Sequence, residues 1–293
     1  MSAKEFKTLE EQIELLKSRG LRVDNEEMAR EFLRVNNYYR VSGYSLTLRK
    51  NDVFYKNACF QNISDIYMFD YELRHILLKY IEEIEVKIKS IYAYEFARCN
   101  GETAYKDSAY FTNAQEHQKI INKVDAQKKL SLKNEAYIRH YEIELKQDMP
   151  IWAYIEIFTI GDISKLYSIS TANLKNAIAA QFGLTMTKGG QLLGDYLYVM
   201  TNLRNLCAHG SRLFNRIFIR KPTLNSNEKK LLIRDKAGTI DNAHLYGFVI
   251  MMRRLLSKES FKEMKAEIIS LKSKFPFVSM RYYGFRDDWE LVL

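Results

Sequence analysis

Proline occurs only 3 times and glycine only 12 times in the 293 residues of this chain. Globular proteins contain about 5% proline and about 7% glycine, so this chain has few residues that interrupt helices or form tight turns. A sandwich or barrel of many short strands needs such residues at most of its connections. The scarcity of both therefore favours long helices and predicts an all-α fold, in a chain long enough for a substantial core.

The strongest helical pattern lies in residues 63–98. Apolar residues recur there every three or four positions and form one continuous stripe, which predicts a long amphipathic helix at the centre of a bundle. Residues 4–19 and 26–35 show the same spacing on a shorter scale, and Gly20 separates them, so we expect an N-terminal helical hairpin. Residues 36–48 are rich in aromatic and β-branched side chains around Gly43, and we predict a bent extended segment for them.

The remaining sequence predicts further helices and three regions. Residues 191–207 form an apolar helix, and residues 244–256 and 259–274 form a terminal helical pair after Pro222 and a polar link. We divide the chain into an N-terminal helical region at 1–50, a helical domain at 51–222 and a C-terminal helical extension at 223–293. No composition break is sharp enough to establish separate domains.

The positive charge is concentrated in the last third of the chain. The whole chain carries a formal net charge of +9, and residues 1–200 contain 27 basic and 27 acidic residues. All of the excess therefore lies after residue 200, most densely in residues 201–234, where eight basic residues accompany one acid, Glu228. Such a one-sided patch is typical of a protein that binds a polyanion, most often nucleic acid, and the alternative is a solvated basic surface.

The cysteines and the N-terminal residues indicate the cellular compartment in which the protein is expected. The three cysteines, Cys59, Cys99 and Cys207, form no C-x-x-C pair, which suits reduced thiols and predicts neither a disulfide nor a structural metal. The chain starts without an apolar signal core and has no run of eighteen apolar residues. We therefore expect a cytoplasmic protein with no membrane partner and no cofactor.

Several enzyme signatures are absent. The glycine-rich stretch at 183–194, GLTMTKGGQLLG, matches neither a phosphate-binding P-loop nor a dinucleotide fingerprint. The chain also lacks the H-E-x-x-H zinc motif and the G-x-S-x-G nucleophile motif. Hydrolysis by zinc or by an activated serine is therefore not supported.

Arg204 and His209 form an R-x4-H motif inside the basic region, with Asn205 one helical turn before the histidine. RNA cleavage needs an acceptor for the ribose 2′-OH proton, a donor for the leaving oxygen and a cation beside the phosphate. Histidine exchanges protons near neutral pH, and arginine binds phosphate while remaining charged. The motif alone is weak, because a chain with this many arginines and histidines contains an arginine followed by a histidine at one of three such spacings about once by chance.

Helical geometry constrains how this motif works. Residues five apart on a straight helix differ by about 140°, so Arg204 and His209 do not share a face, whereas Asn205 and His209 do. The two charged groups converge only if the helix ends near Gly210, which is suited to a left-handed stop, or if a second subunit supplies complementary groups.

Five segments of the chain match a known pattern in order. They are EEQIELLKSRGL at 10–21, NYYRVSGY at 37–44, IYMFDYELRHIL with IEEIEVKIK at 66–89, MPIWAYIEIFTIGDISKLY at 149–167 and RNLCAHGSRLFNR at 204–216. With these segments the chain resembles the Abi-like family of bacterial abortive-infection proteins, the AbiD/AbiF type, whose core is a HEPN helical domain. The resemblance spans about residues 8–220, and nothing after Arg220 takes part in it.

The resemblance implies a metal-independent endoribonuclease with a HEPN-type helical bundle in residues 51–222. Arg204 and His209 match the HEPN R-x4-6-H signature, and Asn205 matches the polar residue that often follows the arginine. It further implies a homodimer with a composite site, in which attack by the 2′-OH leaves a cyclic phosphate. Gly210 and Ser211 depart from relatives that carry a second histidine or similar polar residue there.

Other residues receive secondary roles. Arg212, Arg216 and Arg220 are candidate RNA-phosphate contacts, with solvated charge as the alternative. Asp70 and Arg74 stand four residues apart on the predicted central helix, so they form either a structural ion pair or a pair that positions the motif.

Two further functions and several partners stay open. A non-catalytic RNA-binding scaffold or regulator with the same fold would use the basic region without cutting RNA. DNA binding through the first two helices is less favoured, because residues 1–50 carry 10 basic and 8 acidic groups. A nuclease also needs restraint in its own cell, so we expect an antitoxin, a regulatory small RNA or an infection trigger as a further partner.

Overall fold

The computed structural model describes residues 5–234 and 238–293 and confirms the all-α prediction. The described residues form fourteen α-helices. They are α1 (Leu9–Ser18), α2 (Glu26–Asn36), α3 (Tyr38–Ser42), α4 (Phe60–Asn100), α5 (Ala114–Ser131), α6 (Ala136–Arg139), α7 (Ile151–Tyr154), α8 (Ile160–Ser168), α9 (Ala172–Ala180), α10 (Gly189–Ala208), α11 (Ser226–Lys229), α12 (Leu245–Leu255), α13 (Lys258–Lys274) and α14 (Trp289–Val292).

Short irregular elements connect these helices. One antiparallel pair of two-residue strands, β1 (Arg49–Lys50) and β2 (Val53–Phe54), precedes α4. Single 3-10 turns occupy Leu46–Leu48, Ala104–Lys106, Ser108–Tyr110, Ile155–Ile157 and Met280–Tyr283, and a π-helical segment spans His140–Leu145. Within the described ranges, no helix is both long enough and apolar enough to cross a membrane.

The 41-residue helix α4 is the central element of the fold, as predicted. It contains no proline or glycine, and its apolar stripe is buried along the whole length, for example at Leu73, Leu77 and Ile84. Helices α7, α9, α10 and α13 all pack against it. Because these four helices come from separate parts of the chain, the side chains of α4 are in a position to organise distant residues.

The N-terminal hairpin also forms as predicted. Thr8 caps α1 through a capping box with Glu11, and Gly20 follows the helix with a φ of 89°. Asn25 caps α2 through a hydrogen bond from the backbone N–H of Met28. Helices α1 and α2 then pack together and bury Ile13 and Leu33.

The prediction of an extended segment at residues 36–48 is wrong. Asn37 starts α3 there by accepting a hydrogen bond from the N–H of Tyr39, and a 3-10 turn follows. Val41 and Tyr44 are fully buried, although β-branched and aromatic residues favour strands. Burial of these two side chains against the bundle therefore outweighs the local preference for an extended backbone.

One hydrophobic core runs through all three predicted regions. The cluster of buried side chains includes Ile13 and Leu33 from the N-terminal region, the stripe of α4, and Met251, Ile268 and Tyr283 from the C-terminal region. Helix α13 packs along α4, which brings the last third of the chain onto the central helix. The boundaries at residues 50 and 222 stay predictions.

Candidate functional site

Helix α10 carries the R-x4-H motif and ends just before the histidine. Its last residue is Ala208, His209 is the C-cap, and Gly210 has a φ of 63°. The N–H of Gly210 donates to the carbonyl of Cys207 (3.0 Å), and the N–H of Ser211 donates to that of Leu206 (2.8 Å). These two bonds form a Schellman motif, so the helix stops at the glycine that the sequence singled out.

The motif side chains lie at this end of α10 without protein partners. His209 and Asn205 are exposed, and Arg204 is half-buried. Across residues 5–234 and 238–293, no hydrogen bond, ion pair or ring contact involves any of these three side chains. All three are therefore free to bind a ligand.

The arginine and histidine of one chain leave the helix in different directions. The backbone of His209 keeps a near-helical φ of −85° and ψ of 10°, and the turn starts only at Gly210. Positions five residues apart on a helix differ by about 140° in direction around the helix axis. Asn205 and His209 share one face, so the chain presents an amide beside the imidazole, with the arginine to one side.

A fully buried carboxylate, Asp70 of α4, anchors the chain that follows this turn. Its oxygens accept hydrogen bonds from the backbone N–H of Leu213 (3.1 Å) and of Phe214 (2.8 Å). They also accept from the hydroxyls of Tyr44 (2.8 Å) and Tyr283 (3.0 Å) and from the guanidinium of Arg74. Asp70 thus ties together the region after α3, helix α4, the segment after the motif and the C-terminal region.

Two arginines hold the carbonyl groups of the turn itself. Arg74, paired with Asp70, donates to the carbonyl of Ser211 (3.5 Å). Arg40 of α3 donates to the carbonyl of Gly210 and to the hydroxyl of Tyr67 (3.2 Å), and its guanidinium lies 5.6 Å from the centre of the Tyr67 ring. Backbone and side-chain bonds therefore fix the position of the turn that carries His209.

Burial shapes the electrostatics of this network. It raises the pKa of the Asp70 carboxyl, whereas Arg74 and the two tyrosine hydroxyls oppose that shift by stabilising the carboxylate. Burial and the nearby Asp70 also raise the pKa of Tyr44 and of Tyr283, so both hydroxyls stay protonated and donate. Burial raises the pKa of Cys207 to about 12, which leaves this thiol of α10 without nucleophilic character at neutral pH.

The three arginines that the sequence assigned to RNA have different surroundings. Arg212 is half-buried and donates to the carbonyls of Gly43 and Phe214 (both 3.0 Å), so it braces the turn against α3. Arg216 donates to the carbonyl of Arg212 (3.2 Å). Arg220 is exposed, with its guanidinium 6.0 Å from the centre of the Tyr198 ring. Arg220 is thus the freest of the three for a phosphate contact.

Exposed apolar side chains surround the motif in sequence. Ile219 is 94% exposed and Ile217 is 71% exposed, and Tyr198 lies half-exposed on α10 itself. Exposed apolar groups of this size provide area for contact with another macromolecule where they adjoin one another.

Sequence reasoning missed three residues that build this site. Arg40 and Tyr44 lie in the segment NYYRVSGY, whose sequence pattern suggests no role for either side chain. Tyr283 lies 213 residues after Asp70, and no local pattern links the two. These residues are found only by asking which side chains surround the buried pair Asp70 and Arg74, and that question requires the tertiary structure.

Comparison with known proteins identifies the family. The family model described as Abi-like protein matches residues 31–215, which is more than half of the chain. No curated protein and no solved structure matches the chain. The matched span begins before α3 and ends just after Phe214, so it includes the motif helix, the turn and three of the residues that anchor it, Arg40, Asp70 and Arg74. The chain therefore belongs to the Abi-like protein family, which associates it with abortive infection and phage defence.

Proposed function

We propose that the protein is a metal-independent endoribonuclease with a HEPN-type site, which acts in phage defence and which an antitoxin, a regulatory small RNA or an infection trigger keeps under control. The observation that carries this proposal is the end of α10. There His209 and Arg204, whose side chains have no protein partners among residues 5–234 and 238–293, lie beside a turn that hydrogen bonds from α3 and α4 hold in place. A site that is prepared for catalysis has this character, because groups held rigidly lose little entropy when substrate binds.

The reaction is an internal transfer of the phosphate. The ribose 2′-oxygen attacks the adjacent phosphorus and gives up its proton to His209, while Arg204 stabilises the charge that develops on the phosphate oxygens. The bond from phosphorus to the 5′-oxygen breaks, and that oxygen takes a proton from a second donor. The products are a 2′,3′-cyclic phosphate and a free 5′-hydroxyl.

A homodimer supplies the second set of groups. Within one chain, Arg204 and His209 diverge by about 140°, so one subunit presents only part of the constellation. Two-fold symmetry places Arg204 of one subunit near His209 of the partner subunit if the ends of both α10 helices meet. The exposed side chains Tyr198, Ile217 and Ile219 provide apolar area for that interface.

The first experiment incubates purified protein with total bacterial RNA in the presence of EDTA and maps the cut ends. We expect discrete cuts with cyclic-phosphate ends from the parent protein. His209→Ala should lower the rate about 100-fold or more, because a positioned acid or base contributes about 10²–10⁴. His140→Ala is the matched control, since His140 is another exposed histidine, hydrogen-bonded to Glu144 on a separate element.

The outcomes separate the possibilities. Equal cleavage by the parent and by folded His209→Ala would refute the catalytic role of His209. Absence of cuts from the parent would direct the next step to RNA that copurifies with the protein, because a bound regulatory RNA or antitoxin would mask the site.

A non-catalytic RNA-binding scaffold is the second candidate. The observation that favours it is that a single chain holds its motif arginine and histidine on different faces of α10, which does not suffice for cleavage without a partner. This candidate predicts RNA binding that depends on Arg220 and the surrounding basic surface and is unaffected by His209→Ala.

A further inference from the structure

A cavity of about 900 Å³ lies in the N-terminal part of the molecule, outside the site described above. Helix α1, helix α3 and the β1–β2 hairpin form its walls. Its volume falls in the range of about 300–1,000 Å³ that is usual for small-molecule sites. Nothing in the proposed cleavage reaction uses it.

Two buried polar atoms in the lining have no hydrogen-bond partner. They are the acceptor Oε1 of Gln12 and the donor Nε of Arg49, and neither finds a partner within residues 5–234 and 238–293. The amide nitrogen of Gln12 is engaged, because it donates to the carbonyl of Lys7 (2.9 Å). Buried polar groups are normally satisfied, so this acceptor and this donor gain partners if their side chains turn toward a ligand in the cavity that offers both. The polar edge of a nucleobase does so.

Two tyrosines of α3 add an aromatic wall. Tyr38 is half-buried, whereas Tyr39 is 88% exposed at the cavity. Asn37 holds the start of α3 with a φ of 60° and a ψ of 128°, a conformation that is costly for a residue other than glycine. An exposed aromatic ring held at a fixed helix end is a suitable platform for stacking of a base.

The charge of the lining favours a single phosphate. Lys7, Arg19 and Arg49 face two acids, Glu5 and Asp52, which leaves a net charge of about +1 in the lining. Asp52 is already paired with Arg49 and lies 3.6 Å from Arg19. The Lys7 ammonium has no ion pair in the described part of the chain. One added negative charge is thus balanced, while a polyphosphate is not.

We propose that this cavity binds one nucleotide unit, with its base stacked on Tyr39, the base edge on Gln12 and Arg49, and its phosphate near Lys7 and Arg19. The unit is either a free mononucleotide or an unpaired nucleotide of a bound RNA, since both offer a base and one phosphate group. The binding proposal does not depend on RNA cleavage.

Helix α3 connects this cavity with the candidate site. The same short helix supplies Tyr38 and Tyr39 to the cavity and Arg40 to the carbonyl of Gly210, next to His209. A nucleotide bound against Tyr38 and Tyr39 therefore contacts the same helix that holds the turn with the motif histidine.

The test uses the full chain with His209→Ala, so that RNA stays intact whether or not the parent is a nuclease. Calorimetric titration measures the affinity for each of the four nucleoside monophosphates up to millimolar concentration, and for a short unstructured RNA. Tyr39→Ala and Lys7→Gln are then added separately to this background. Tyr94→Ala and Lys133→Gln are the controls, because both side chains are exposed and lie outside the cavity.

We expect Tyr39→Ala to weaken binding about 5- to 140-fold, the effect of losing one stacked base. Lys7→Gln should weaken it by about 5-fold or less, as for an exposed ion pair. Loss of monophosphate affinity identifies a free nucleotide, and loss of RNA affinity alone identifies a nucleotide of RNA. If both variants keep the affinities of their controls for every probe, the proposal is wrong. Cleavage by the chain with His209 intact is scored separately.

Discussion

At the scale of single residues, Asp70 shows how one buried charge organises a site that it does not enter. A carboxylate without exposure to water is tolerated only when its oxygens are fully hydrogen-bonded and its charge is paired. Asp70 meets both conditions through Arg74, Tyr44, Tyr283 and two backbone N–H groups. The same bonds hold Leu213 and Phe214, so the stability of the core and the position of the motif turn depend on one side chain.

Asp70→Asn should destabilise the protein strongly. The amide removes the negative charge and leaves the guanidinium of Arg74 buried without its partner. Breaking a buried pair in this way costs about 3–5 kcal/mol in the free energy of unfolding. Urea denaturation monitored by circular dichroism measures the loss, and a change below about 1 kcal/mol would contradict the role of Asp70 as the anchor.

Tyr283→Phe tests the C-terminal contribution to this network. The variant keeps the fully buried ring and removes only the hydroxyl that donates to Asp70. We expect a loss of about 0.5–1.5 kcal/mol in the free energy of unfolding. Tyr282→Phe is the matched control, because its hydroxyl makes no hydrogen bond within the described ranges, and it should leave stability within about 0.5 kcal/mol.

At the scale of elements, the ends of helices determine where functional groups stand. Helix α10 has no interruption before Ala208, and the Schellman bonds then turn the chain sharply at Gly210. Two of the carbonyls of the turn, those of Gly210 and Ser211, accept from arginines of α3 and α4. A helix end that neighbouring elements also hold has little freedom to move, and the motif histidine is part of it.

Gly210→Ala should reduce both stability and RNA cleavage. Gly210 has a φ of 63°, and an added Cβ would lie 3.3 Å from the guanidinium of Arg40. The left-handed conformation alone costs about 1–2 kcal/mol for alanine. Gly183→Ala is the control, because Gly183 has a φ of 71° and open space around it. We expect the two variants to lose a similar amount of stability and only Gly210→Ala to lose cleavage. Equal cleavage by both variants would contradict the role of Gly210 in positioning His209.

The start of α8 predicts a pH dependence. Asp162 is partly buried, which favours its neutral form, but hydrogen bonds from Lys123 and Thr159 outweigh burial and lower its pKa. Its contribution to stability is therefore present above the unfolded pKa of about 3.9 and is lost as the pH falls through the lower folded value. The stability difference between the parent and Asp162→Asn should shrink as the pH falls below about 4. Thermal unfolding across acidic pH measures it, and a constant difference would contradict the assignment.

At the scale of the whole molecule, the proposed cleavage site combines groups from two chains. Arg204 and His209 diverge at the end of α10, so we propose that each subunit supplies part of the reactive groups, with the exposed apolar residues after the motif at the interface. The C-terminal region, outside the matched family span, contributes Tyr283 to the anchor of the turn. It is thus part of the same hydrophobic core rather than an appendage.

Mixing two inactive variants tests the composite site. Arg204→Ala and His209→Ala should each be inactive alone, while mixed dimers regain one intact site that uses Arg204 of one chain and His209 of the other. Random exchange makes about half of the dimers mixed, so about a quarter of the parental cleavage rate is expected. If both groups acted within one chain, every dimer would stay inactive, and that result would refute the composite arrangement.

The sequence by itself determined the helical content, the length of α4, the hairpin of α1 and α2 and the stop of α10 at Gly210. Each of these depends on spacing within a few turns of helix, where 3.6-residue periodicity and capping residues act locally. The tertiary structure alone decided that residues 37–48 form α3 and a 3-10 turn, that Tyr283 reaches Asp70 and that Arg40 holds Gly210. These contacts join residues 170 or more positions apart in two of the three cases. They depend on how helices pack against α4, and no local pattern encodes a packing arrangement.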